Sequence, residues 1–106
     1  MQDIYSGMNK RFILEKESDL FSFLEENKYK VNDVIFESLH DAIVAKETSA
    51  ILFSVGFKDE SQDLDIVFEL PYGEYKNALE KSLSLFEEIE DYDRCIACRD
   101  LITTFE

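Results

Sequence analysis

Ile51-Leu52-Phe53-Ser54-Val55-Gly56-Phe57 and, after a polar gap, Leu64-Asp65-Ile66-Val67-Phe68-Glu69-Leu70 are the stretches on which the fold turns. Ile51, Phe53, Val55 and Phe57 alternate with Leu52, Ser54, Gly56 and Lys58. In the second run Leu64, Ile66, Phe68 and Leu70 alternate with Asp65, Val67 and Glu69. A period of two belongs to an extended strand, whose successive side chains point to opposite faces. The joining segment, Asp59-Glu60-Ser61-Gln62-Asp63, is short and polar, so the two runs predict a β-hairpin with one buried face. Pro71-Tyr72-Gly73 supplies a turn behind it. Two strands alone are marginal in water, so helices must cover the buried face. Lys10-Arg11-Phe12-Ile13-Leu14 offers either a short strand or an apolar anchor, with 11–14 as the candidate third strand.

Working outward, the period becomes helical on both sides. Ser18 and Asp19 are helix-start residues before Leu20, Phe21, Phe23 and Leu24, which predict a short helix to about Asn27. A second helix follows, with Asn32 as its cap and Asp33 at its positive end. Val34, Ile35, Phe36, Leu39, His40, Ile43 and Val44 form its apolar stripe, and it should end near Glu47. Glu37, Asp41 and Lys46 fall mostly on its other face. Beyond the strands, Tyr75, Ala78, Leu79, Leu83, Phe86 and Ile89 make one stripe; Tyr92, Cys95, Ile96, Cys98, Ile102 and Phe105 make another. The phase breaks around 90–92, so residues 74–105 read as an antiparallel helical hairpin, with one bent helix as the alternative. The expected order is α-α-β-β-α-α, an α+β domain over 1–106, with 1–10 as a loose polar leader.

The chain has 106 residues and is 45% hydrophobic, with nine Phe and five Tyr, enough for one modest core. Its net charge is −13, from 24 acids and 11 bases. Residues 1–53 hold ten acids and six bases, a balance of −4; residues 54–106 hold fourteen and five, a balance of −9. Such a field repels phosphate backbones, which argues against direct nucleic-acid binding. It favours a basic protein surface, including a groove that normally holds nucleic acid, and it also keeps a protein soluble. No apolar run approaches the roughly 20 residues needed to span a bilayer, and no signal peptide is visible. Two cysteines make no disulfide framework, so a reducing, cytoplasmic location is expected.

Asp91-Tyr92-Asp93-Arg94-Cys95-Ile96-Ala97-Cys98-Arg99-Asp100-Leu101-Ile102 has an aromatic followed by an acid, a small residue, then Arg-Asp and an aliphatic. In this order the segment from about Tyr75 to Phe105 resembles the UVR motif. That motif is the helical hairpin of the B and C subunits of bacterial nucleotide-excision repair and of some protease adaptors. Ile96 departs from it, standing where a second small residue is usual. The family hairpin is a protein–protein docking element without chemistry. The resemblance implies that Tyr92, Arg99 and Asp100 shape the hairpin or face a partner.

Candidate chemistry is sparse. Cys95-Ile96-Ala97-Cys98 has the spacing of a redox or zinc pair. The first thiol, however, sits inside an apolar stripe rather than at a helix N-terminus, and no second ligand pair exists. Packing is the simpler role. His40, the only histidine, is expected as a partly buried structural residue; Glu37 is the group placed to orient it, since Asp41 is adjacent and i, i+1 side chains diverge on a helix. Asp59, Glu60, Asp63 and Asp65 lack the turn Gly of a calcium loop, and Leu70 stands where its closing Glu belongs. These readings predict no catalytic, cofactor or metal residue. What remains is acidic surface: Glu87, Glu88, Glu90, Asp91 and Asp93, five acids in seven residues at the hairpin connection, and Asp63, Asp65 and Glu69 on the outer face of the strand pair. The expected function is a non-enzymatic adaptor or regulatory protein that docks a basic protein surface. The alternative is a nucleic-acid mimic, of the phage anti-restriction or anti-CRISPR kind, that blocks the cationic groove of a nucleic-acid enzyme. An enzyme built on His40 or the cysteines is the reading from a different class. The hairpin's outer stripe would also serve a homodimer.

Overall fold

The computed structural model describes residues 10–58 and 65–106. In chain order these form β1 (Arg11–Leu14), a 3-10 turn at Glu17–Asp19, α1 (Leu20–Glu26), α2 (Lys28–Val44), β2 (Ser49–Phe57), β3 (Ile66–Pro71), a second 3-10 turn at Tyr72–Glu74, α3 (Tyr75–Glu88) and α4 (Tyr92–Thr103). The fold is α+β, and residues 11–14 are indeed a third strand. Strand order is β1-β2-β3. β3 returns antiparallel to β2, whereas β1 runs parallel to it, as the intervening α1–α2 crossover permits. The proposed leader and the polar loop, including Asp63 and Leu64, lie outside the described residues except for Lys10.

Three local expectations are corrected. Asn32 does not cap α2; the helix begins at Lys28, and Asn32 lies inside it, 3% exposed. Lys28-Tyr29-Lys30 contains no breaker, so the helix extends back until it meets α1 at Asn27. Asn32 instead crosses to α3. Its Oδ1 accepts from Ser82 Oγ at 2.6 Å, and its Nδ2 donates to the Ser82 carbonyl at 3.3 Å. A reciprocal pair of this kind satisfies two buried polar side chains at once.

Ile51 is not in the buried row; it is 62% exposed. Ile51 lies opposite Glu69 and Phe53 opposite Phe68, so Leu52 is an extra residue, a β-bulge. The bulge lets Ala50 and Phe53 both face inward. Ser38 Oγ of α2 donates to the Leu52 carbonyl at 2.7 Å, giving that residue a partner from outside the ladder.

In α4 the apolar residues divide between two faces. Cys95, Cys98 and Ile102 are buried, while Tyr92 and Ile96 are 65% and 56% exposed. Ile89, at the end of α3, is exposed as well.

Packing gives two cores. One joins α2, α3 and α4 through Phe36, Leu39, Tyr75, Leu79, Phe86, Cys95 and Cys98, with Phe36 and Phe86 edge to face at 5.6 Å. The other sits between the sheet and α1–α2, around Val31, Phe53 and Val55, with Phe53 and Phe68 stacked at 4.5 Å. α3 and α4 are antiparallel: Tyr75 meets Phe105 at one end and Glu87 meets Arg99 towards the other. Both α2 and α3 stop in Schellman turns. At the second, Asp91 N bonds Phe86 O and Glu90 N bonds Glu87 O; at the first, Glu47 N bonds Ala42 O and Lys46 N bonds Ile43 O. The left-handed residues are Lys46 (φ 59°) and Glu90 (φ 58°), where glycine is the usual occupant.

Candidate functional site

The three-residue connection Ile89–Asp91 sets the geometry of the acidic tip. Asp91 caps α4, its carboxylate accepting from Arg94 N at 3.4 Å and from Arg94 Nη1 at 3.0 Å. Arg94 reaches on to Asp33 of α2 at 3.3 Å and lies 5.8 Å over the Phe86 ring. Its guanidinium is held more basic than usual, chiefly by the Asp91 hydrogen bond. Glu87 pairs with Arg99 across the hairpin at 3.0 Å. Glu88 accepts the Tyr29 hydroxyl at 2.8 Å, which raises the phenol pKa because the carboxylate disfavours a phenolate beside it.

The five tip acids therefore separate into two kinds. Glu87, Glu88 and Asp91 tie the hairpin to itself and to α2. Glu90 and Asp93 are exposed, with no ion pair or side-chain hydrogen bond among the described residues. They stand beside the exposed Tyr92 and Ile96. Of Tyr92, Arg99 and Asp100, Arg99 forms the exposed pair with Glu87, while Tyr92 and Asp100 face solvent.

Asp65 and Glu69 lie on the outer face of the sheet, as alternation implies, beside the exposed Ile51 and Val67. Neither is an unengaged carboxylate. Glu69 accepts from Ser49 Oγ at 3.0 Å. Asp65 takes a two-pronged contact from Arg11, Nε at 2.5 Å and Nη2 at 2.8 Å, which holds its carboxyl below the usual range despite some desolvation. This fork links β1 to β3 over Gly56 of β2. A Cβ at Gly56 would come within 2.9 Å of Asp65 Oδ1 and 3.0 Å of Arg11 Cζ.

Both cysteines are buried and form no disulfide. Burial, reinforced by Cys95, pushes the Cys98 thiol up to about 11, so it stays protonated and unreactive. His40 overturns its expected partly buried position. Its side chain is 51% exposed, and its Nδ1 lies 3.4 Å from Asp41 Oδ1 rather than against Glu37. The buried face of α2 is also displaced from the expected stripe: it comprises Val31, Asn32, Phe36, Ser38, Leu39 and Ala42, which leaves His40 and Val44 outside it. Among the described residues no three His, Cys, Asp or Glu side chains converge as a metal site, and no helix is long and apolar enough to cross a membrane.

Shallow depressions complete the surface. One of about 480 Å³ is lined by Ile43, Thr48, Tyr72 and Phe105. Another, of about 340 Å³, lies between α2 and α4, lined by Phe36, Glu37, His40, Asp41 and Ala97. Glu37 and Asp41 are exposed on the outer face of α2, as their position off its apolar stripe implies. Their four-residue spacing with Asp33 was the available signal. No family model matches the chain, and no curated protein or solved structure does either.

Proposed function

We propose that the protein is a non-enzymatic interaction protein that docks a basic surface of another protein through the exposed face of its C-terminal hairpin. The observation that carries this reading is the pairing at the tip. Glu90 and Asp93 lack any internal counter-charge among the described residues and flank the exposed Tyr92 and Ile96. An aromatic and an aliphatic anchor with charged groups around them is the composition that binding faces favour. Glu90 holds the left-handed position of the turn between α3 and α4, a position glycine usually takes. The net charge of −13 adds long-range steering towards a cationic partner, an attraction that weakens as salt rises. The likeness of residues 91–102 to a family docking hairpin points the same way. Asp63, Asp65 and Glu69 are secondary in this reading, since Asp65 is already neutralised by Arg11.

The test is affinity capture of a partner by the intact chain, after nuclease treatment, compared with a Glu90→Gln, Asp93→Asn, Tyr92→Ala variant. A defined partner retained by the parent and lost by the variant supports the reading; equal retention overturns it. If the partner is a nucleic-acid enzyme and added DNA displaces the protein, the nucleic-acid-mimic form of the proposal takes its place.

A further inference from the structure

Asp33, Glu37 and Asp41 recur at four-residue spacing along the exposed ridge of α2, so they stand one above another. At the first step α4 answers with Arg94, whose guanidinium is held by Asp33 and Asp91 and lies over Phe86. Three residues further along α4 stands Ala97, and the room a long side chain would fill is the 340 Å³ depression. Its lining offers the same kinds of residue, two carboxylates, Glu37 and Asp41, here both from α2, with a phenylalanine, Phe36.

Carboxylates on a ridge define nothing by themselves. The filled neighbour specifies the chemistry, because it displays in this same groove how a guanidinium is held between acids above a ring. Glu37 has no hydrogen bond or ion pair through its side chain among the described residues, although its charge reaches Arg94, and Asp41 has only exposed contacts, at 3.4 Å to Lys10 and to His40. Such contacts hold little and are readily exchanged.

We propose that the depression between α2 and α4 is the seat for an arginine side chain of the basic partner. The inference rests on the docking reading and sharpens it: the partner lies along the α2–α4 groove, reaching past the tip. Arginine fits better than lysine, because a planar guanidinium can contact the Phe36 or His40 ring while its fork meets Glu37 and Asp41.

The experiment follows the backbone amides of the full chain by NMR during titration with acetyl-Ala-Arg-Ala-amide, its citrulline counterpart and its lysine counterpart. The arginine peptide should shift the amides of residues 36–41 and 97–98, the lysine peptide less, and the neutral citrulline peptide hardly at all. The Glu37→Gln, Asp41→Asn variant changes only exposed side chains and should weaken binding about five- to tenfold. Ala97→Arg should fill the seat from within and abolish the shifts, with the thermal melt showing that the fold is retained. Shifts confined to residues 88–93, an equal response to citrulline, or no response at all overturn the proposal. So does an arginine response that both variants leave unchanged. Capture through Glu90, Tyr92 and Asp93 is read in its own assay and stands or falls separately; of these outcomes only shifts confined to residues 88–93 bear on it, and they would favour it.

Discussion

The two cores of this protein are built from similar residues and finished differently. Between α2, α3 and α4, Leu39, Tyr75, Leu79, Phe86 and Cys98 lose all contact with solvent. On the sheet side only Val31, Phe53 and Val55 are buried, with Phe12, Phe57 and Phe68 partly covered. The difference follows from geometry. Each helix of the trio is packed along its apolar stripe by the others, whereas the three strands have helices on one face only. Ile13, Ile51 and Val67 stay exposed on the outer face. In place of a second layer, the Arg11–Asp65 fork clamps the edge strands across Gly56. The helical half thus holds the molecule together, and its solvent side is left to carry free charge.

The sharpest way to break this contrast is to delete one ring from each core. Phe86→Ala should cost about 3–5 kcal/mol, and Phe12→Ala, at a partly exposed edge position, clearly less. Urea denaturation with unchanged m-values would measure both. Equal losses would show that the sheet side is as tightly sealed as the helical one.

Asn32 gives the next largest effect. Asn32→Ala should cost about 1–3 kcal/mol, because Ser82 is left with a buried, unsatisfied hydroxyl. Asn32→Asp separates the buried role from a cap. A cap would tolerate the aspartate, whereas a buried pair facing Ser82 would not, and the same denaturation curves decide between them.

At the tip, stability and docking should move in opposite directions. Glu90→Gly relieves a left-handed backbone and should raise stability by up to about 1 kcal/mol. Partner capture by that variant should fall. A glycine variant that is more stable and binds equally well would remove Glu90 from the docking face.

The smallest effect is a pH dependence. Arg11 lowers the Asp65 pKa in the folded state, so the unfolded chain takes up this proton first as pH falls. The pair's contribution is present above the unfolded carboxyl pKa of about 3.9 and is lost as pH falls through the lower folded value. Asp65→Asn should flatten the fall of the urea midpoint below about pH 4, by a small margin for a pair this exposed.

Local periodicity and turn chemistry were enough to read the element types and their order from the residues. The alternation at 53–57 and 66–70, the stripes of α2 and α3 and the break at 90–92 are each set within a few positions. Residue roles were less legible. Asn32 looks like a cap in isolation and becomes a buried partner only because Ser82, fifty positions away, arrives opposite it. Ile51 keeps the alternation on paper, yet the bulge at Leu52, supported by Ser38 from another element, turns it outward. Ile96 and Tyr92 share a period with Cys95 and Cys98, but only one arc of α4 meets α2 and α3. The density of acids at 87–93 was written in the sequence, while their division into structural and unpaired carboxylates was not. That division depends on where Tyr29, Arg94 and Arg99 come to rest, because a charge is neutralised by what lies within a few ångströms in space, whatever its distance along the chain.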